Sequence, residues 1–151
     1  MNEVVPAGSP RPEHAVTDDE IASCYDVMAE LRSHVTRGDF VALVRSMKSD
    51  GYRLACIREA GRVVACAGYR ISTNLFSGRH LYVDDLVTAE AARSRGHGSA
   101  LLAWLRGVAI ENGCRVLDLD SGVQRKRAHQ FYLREGLELS SYHFSTRLHG
   151  R

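Results

Sequence analysis

One segment constrains the chain more than any other: Arg93-Ser94-Arg95-Gly96-His97-Gly98-Ser99, set between a strand-like run at 81–88 and a helical run at 99–112. Its two glycines open backbone conformations closed to other residues and let a ligand approach the main chain. The first amides of a helix have no intrahelical partner, and with the helix dipole they make an anion site. Arg93 and Arg95 add charge in a forked geometry suited to phosphate, and Ser99 adds a hydroxyl. A further strand-like run at 115–119 completes a strand–helix–strand unit. Such a unit sets two parallel strands in one sheet through a right-handed crossover.

The rest of the chain reads as alternating helices and strands. Thr17 and Glu20 form a capping box, and Ile21, Cys24, Tyr25, Met28 and Leu31 recur at helical spacing, predicting a helix to about Arg32. A weaker helix is expected over 40–47. Runs at 52–58 and 62–71, separated by Glu59-Ala60-Gly61, predict a β-hairpin, followed by a polar loop at 72–79. A last helix is expected over 126–135, stopped by Gly136, and a closing strand over 142–148. The pattern predicts an α/β (α+β mixed) fold, a central mixed sheet flanked by helices. Residues 1–15, where all three prolines lie, are expected to be a mobile leader, and 16–151 a single domain.

Composition excludes several classes of function. With 151 residues, 44% of them hydrophobic and 25% charged, the chain suits one folded domain. A net charge of +2 and 7% aromatic residues without a stacking pattern argue against nucleic acid as a partner. The apolar runs are too short to cross a membrane, and no secretory signal is visible, so a cytoplasmic setting is expected. Cys24, Cys56, Cys66 and Cys114 form no C-x-x-C pair; they are expected to be reduced and buried, and no metal site is expected.

The turn does not fit a nucleotide P-loop, because no lysine follows Gly98. A dinucleotide-binding turn fits poorly, since Leu101 stands where a third small residue is needed. The pattern that remains is R/Q-x-x-G-x-G/A, here Arg93, Gly96 and Gly98. With the later stretch Ala128-His129-Gln130-Phe131-Tyr132-Leu133-Arg134-Glu135-Gly136-Leu137, and one strand between, it resembles the GNAT superfamily of acyl-CoA-dependent N-acyltransferases. The stretches 120–122 and 134–136, with Ser141-Tyr142-His143-Phe144, are further similar to aminoalkylphosphonate N-acetyltransferases.

The resemblance implies an enzyme that moves an acetyl group from acetyl-CoA to a small-molecule primary amine without an acyl-enzyme. A non-catalytic acyl-CoA-binding or sensor module is the alternative. The resemblance makes Arg93, Ser94, Arg95, Gly96, His97, Gly98 and Ser99 the pyrophosphate loop. It also leaves the backbone of Leu86, Val87 and Thr88 to pair with the pantetheine arm. Ser94 stands where the family often has Gly, and Arg125, where it often has Asn, takes a cofactor-binding position. Tyr132 falls on the family's general-acid position. The acceptor and the oligomeric state are left open, a homodimer included.

Acetyl transfer needs a neutral amine, so a base is required. Asp84 and Asp85 sit in the middle of a strand-like run, where aspartate is disfavoured. Side chains alternate along a strand, so one of them should face the cleft. Asp84 is preferred, since it shares a face with Tyr82 and lies two residues before Leu86. The plain structural reading is that one caps a strand distortion and the other meets an arginine. Among the histidines, His80 is the one nearest the strand.

Overall fold

The computed structural model describes residues 10–149. It divides into two compact units, with the boundary between Asp118 and Leu119.

The first unit is built on an antiparallel meander. Strand β2 (Arg53–Glu59) turns at Ala60 and Gly61 into β3 (Arg62–Asn74), which turns again into β4 (Gly78–Thr88). Ala60 and Gly61 both take positive φ, the two-residue turn whose twist matches that of the flanking strands. A short β1 (Glu13–His14) pairs with Cys56 and Ala55 on the outer edge of β2. Strand β5 (Val116–Leu119) lies beyond β4, in the order β1-β2-β3-β4-β5. The Arg115 N–H donates to the Arg79 carbonyl at 2.8 Å, which sets the start of β5 beside the start of β4. The sheet is therefore mixed, and the helix between β4 and β5 is its crossover.

Helices α1 (Asp18–Ala22), α2 (Tyr25–Leu31) and α3 (Arg37–Ser49) cover one face. Ile21, Cys24, Val27, Met28, Phe40 and Val44 bury there against Tyr52, Leu54, Cys56 and Cys66. Residues 54, 56 and 66 face this layer, so Ala55, Ile57, Ala65, Ala67 and Tyr69 face the other by strand alternation. On that side α4 (His97–Glu111) buries Leu101, Leu102, Leu105 and Ala109 and packs on β3 and β4. Trp104 of α4 meets Tyr69 edge-on, with ring centroids 6.1 Å apart. The cysteines are free, and Cys24, Cys56 and Cys66 are buried in the core. The neighbouring Cys24 and burial push the Cys56 thiol up.

The second unit carries one helix, α5 (Lys126–Arg134). The His129 ring lies 2.7 Å from the Gly122 carbonyl, and the Leu137 N–H closes the helix end on the Tyr132 carbonyl at 2.9 Å.

Several expectations are corrected. The helix expected from Thr17 to Arg32 is two helices. The Ser23 hydroxyl bonds back to the Glu20 carbonyl and competes with the helical ladder there. The polar loop expected at 72–79 is mostly strand, pairing Ser72 with His80 and Asn74 with Gly78. The Asn74 side chain accepts from the Ser77 N–H, and Gly78 at φ 70° closes a three-residue turn. The leader was expected to reach residue 15, but Glu13 and His14 pair in the sheet and the Ala15 N–H donates to Leu54. Its residues 1–9 lie outside the described residues. The closing strand expected at 142–148 has no regular structure, and Tyr142, Phe144 and Leu148 are exposed. Alternation supplies a side-chain pattern, but a strand exists only where a neighbouring edge hydrogen-bonds to it.

Candidate active site

Two clusters in the first unit carry the residues singled out above. The first is the middle of β4. Gly68 pairs with Asp85 and Tyr69 with Val83, so Asp84 is the extra residue of a β-bulge. The bulge breaks the strict alternation expected of the two aspartates, and both join one polar cluster. Asp85 is buried. Its Oδ1 accepts from Arg32 Nε at 2.8 Å and its Oδ2 from the Tyr52 hydroxyl at 2.7 Å. Arg32 Nη2 also donates to the Asp84 carbonyl at 2.8 Å, which ties the bulge to the end of α2. Among the described residues the Asp84 carboxylate accepts only from Arg70 Nε, at 3.2 Å, and its side chain keeps 24% of its surface exposed. The Arg70 guanidinium lies over the Tyr52 ring, 5.6 Å from its centroid.

The electrostatics divide the two carboxylates. Burial raises the Asp84 carboxyl above the ordinary carboxylate value; Arg70 opposes this and the neighbouring Asp85 adds to it. Burial and the Asp85 carboxylate push the Tyr52 phenol up, so it stays a hydrogen-bond donor. The plain structural reading of the aspartates thus describes both: Asp84 sits at the strand distortion and Asp85 meets an arginine. Asp84 alone stays within reach of solvent.

Arg32, Tyr52 and Arg70 were not anticipated. Their positions in the sequence, at the end of α2, just before β2 and within β3, give no local sign of convergence. Gly68 did carry a sign: an isolated glycine within a strand marks a close backbone approach or a bulge. A Cβ at that position would lie 1.9 Å from the Tyr52 hydroxyl and 2.6 Å from Asp85 Oδ2. The glycine is what lets Tyr52 reach Asp85.

The second cluster is the turn before α4. Gly96 is the N-cap at φ 81°, ψ 11°, and no side chain caps the helix. A Cβ at Gly96 would meet nothing within 4 Å, so the approach to the backbone at this N-cap is open among the described residues. The residues present therefore suit a bound pyrophosphate: an open approach, backbone amides at a helix start and the exposed Arg93. Arg95 is engaged, with Nη1 3.2 Å from Glu59 Oε2. The His97 ring is buried, with Nε2 2.7 Å from Glu59 Oε1, a close electrostatic contact without hydrogen-bond alignment. What His97 offers an anion is its N–H, not its ring. Ser94 takes φ 65°, the left-handed region that favours glycine. Leu86, Val87 and Thr88 pair with Ala67, Cys66 and Ala65 of β3 on one edge. The four residues of β5, starting opposite Arg79, are too few to reach them on the other.

His80 belongs to neither cluster. It is buried, with Nδ1 3.2 Å from the Gly78 carbonyl and Nε2 3.4 Å from the Ser72 hydroxyl.

In the second unit Tyr132 lies on α5 beside Phe131, ring centroids 5.5 Å apart. Burial raises its phenol, against the nearby Arg125. Arg125 is the N-cap residue of α5, and its N–H donates to the Gly122 carbonyl at 3.0 Å.

Comparison with known proteins shows the family. The model of the acetyltransferase (GNAT) family matches residues 18–137. The chain belongs to the GNAT acetyltransferase family. It is 32% identical to the uncharacterized N-acetyltransferase YhdJ of Bacillus subtilis, over 83% of this chain and 90% of that protein. It is 30% identical to the aminoalkylphosphonate N-acetyltransferase of Salmonella typhimurium, over 89% of each. The fold is that of the acetyltransferase AAC(6')-Iy solved with a bisubstrate analog, at a TM-score of 0.82 and 13% identity over 95% of this chain and 100% of that one. This GNAT protein is accordingly an acyl-CoA-dependent N-acyltransferase with acetyl-CoA as its cosubstrate, an enzyme and not only an acyl-CoA-binding module.

Proposed function

We propose that this acetyltransferase moves the acetyl group directly from acetyl-CoA to the primary amine of a small molecule, with Asp84 as base and Tyr132 as acid. The observation that carries the reading is the division of labour at the β4 bulge. Asp85 is taken up by Arg32 and Tyr52, while Asp84 is partly exposed and raised by burial. Asp84 takes a proton from the ammonium group. The amine nitrogen bonds to the thioester carbonyl carbon, the carbon–sulfur bond breaks, and the departing thiolate takes the Tyr132 proton; the nitrogen gives up its second proton to solvent as the amide forms, and solvent returns a proton to the Tyr132 oxygen. The Tyr132 role rests on the motif match, and its raised phenol keeps that proton at neutral pH. In this reading the backbone of Leu86, Val87 and Thr88 pairs with the pantetheine arm. The amides and charges of Arg93, Ser94, Arg95, Gly96, His97, Gly98 and Ser99 hold the pyrophosphate, with Arg125 toward the same cofactor. The family match runs across the boundary between the units, which supports one transferase domain from residue 16 onward.

Thiol release from acetyl-CoA with a panel of small amines tests the reaction, and two variants test the residues. Asp84→Asn should lower kcat/KM by about 10²–10⁴-fold at neutral pH. The loss should shrink at high pH, where the amine is already neutral. The wild-type rate should fall as pH drops through the raised Asp84 value, because only the carboxylate accepts the proton. Tyr132→Phe should lower kcat over a similar range and leave CoA affinity intact. An Asp84→Asn loss of equal size at all pH values would remove Asp84 from the base role.

A further inference from the structure

We infer that Arg70 reads the acceptor: it binds an acidic group on the substrate, so the preferred acceptor is a small zwitterion whose amine goes to Asp84 and whose anionic end goes to Arg70. The inference rests on the Asp84 reading above and deepens it by naming the acceptor's chemical class.

The four charges at the bulge are unevenly matched. Arg32 serves the buried Asp85 and the Asp84 carbonyl, and Tyr52 completes Asp85. Arg32 keeps 41% of its side chain exposed, but its Nε and Nη2 are both committed, at 2.8 Å each, to Asp85 and the Asp84 carbonyl. Arg70 and Asp84 are left with each other. Their side chains keep 31% and 24% of their surface exposed, and they meet through a single 3.2 Å contact from Arg70 Nε. Neither Arg70 Nη atom makes a hydrogen bond among the described residues. A guanidinium carries five donors in a planar fork that matches a carboxylate or phosphonate edge. One donor is used here, and loosely. The guanidinium carbon lies over the Tyr52 ring, itself held by Asp85, 5.6 Å from its centroid, a cation–π contact that favours this position for the fork.

A partly exposed cation and anion side by side form a template for a molecule with the opposite arrangement. A zwitterion replaces one solvent-screened internal ion pair by two charge-assisted contacts. A neutral alkylamine gains only the Asp84 contact and leaves Arg70 where it was. Discrimination therefore comes from Arg70, and it should appear in the KM of acidic acceptors more than in kcat. Loss of Arg70 also changes the Asp84 environment, but that change acts on every acceptor alike and cancels in a ratio between acceptors.

The test uses the full chain with acetyl-CoA and three acceptors of matched reach: aminoethylphosphonate, beta-alanine and propylamine. In the wild type, kcat/KM for at least one acidic acceptor should exceed that for propylamine by about tenfold or more. Whether phosphonate or carboxylate leads tells which anion the fork accommodates. In Arg70→Gln the ratio should fall to near one, through a higher KM for the acidic acceptor. Arg70→Lys, which keeps the charge and loses the fork, should fall between and serves if the glutamine variant does not fold. A wild-type ratio at or below one, or a ratio unchanged in the variants, overturns the inference. If no amine is acetylated, the Asp84 reading fails, and calorimetric binding of aminoethylphosphonate and beta-alanine to the CoA-saturated protein decides Arg70 separately. Binding of either that is lost in Arg70→Gln supports it; binding of neither, or binding unaffected by the substitution, overturns it.

Discussion

The β4 bulge and the turn before α4 solve the problem of presenting charge in opposite ways. At the bulge the charge is carried by side chains from four places in the chain, Arg32, Tyr52, Arg70 and the two aspartates, each holding another. At the turn it is carried by the backbone of one continuous segment, with Gly96 at φ 81° and no side-chain cap. The first arrangement is rigid because each part depends on distant partners. The second is open at its glycine, where a Cβ would meet nothing within 4 Å. A site that must tune a proton suits the former, and a site that must grip a pyrophosphate suits the latter.

The difference can be tested at single atoms. Gly68→Ala should do the most damage, because its Cβ would lie 1.9 Å from the Tyr52 hydroxyl and 2.4 Å from the ring carbon bearing it. Forcing Tyr52 off Asp85 strains the packing and leaves a buried carboxylate oxygen without its donor, a loss of about 2–4 kcal/mol. Urea denaturation measures it, and an unchanged midpoint would show that the bulge is not held by this network.

Gly96→Ala should act on binding instead. The added methyl group meets no neighbour, so the penalty is the φ of 81° alone, about 1–2 kcal/mol. If the turn gives way to relieve it, CoA affinity should fall about tenfold in calorimetry, while the urea midpoint moves less than for Gly68→Ala. A variant that binds CoA as tightly as the wild type would separate the turn from the pyrophosphate.

Ser94→Gly should have the smallest effect and the opposite sign. Ser94 pays for a φ of 65° that glycine takes freely, though glycine also gains entropy when unfolded, so the net stabilisation should be about 0.5–1 kcal/mol. Destabilisation would mean that the Ser94 side chain holds the turn in a way its backbone angle does not reveal.

The turn was legible because its signals are local. Glycine at a left-handed N-cap, arginines beside it and a helix start are all read within seven residues. The capping box at Thr17 and the Glu59-Ala60-Gly61 hairpin were legible for the same reason, and Thr17 and Glu20 do cap each other. The pair Asp84-Asp85 announced itself by being out of place in a strand. Which of them is buried did not follow from alternation, because the bulge between Gly68 and Tyr69 resets the register. The break at Ser23 and the absence of a strand at 142–148 were illegible for related reasons: a side chain competing with the ladder, and an edge that a sequence pattern cannot supply.

By itself the sequence determined the family, the order of helices and strands from residue 37 to 134 and the glycine turn that opens α4, since each rests on short local patterns. Tertiary structure alone decided that Arg32, Tyr52 and Arg70 converge on the aspartates, that Arg95 and His97 answer to Glu59, and that Asp84 is the carboxylate left within reach. Those contacts join residues 14 to 53 positions apart, or rest on a register set by a bulge. No local preference encodes such distances; they arise when the helices and strands are packed into one core.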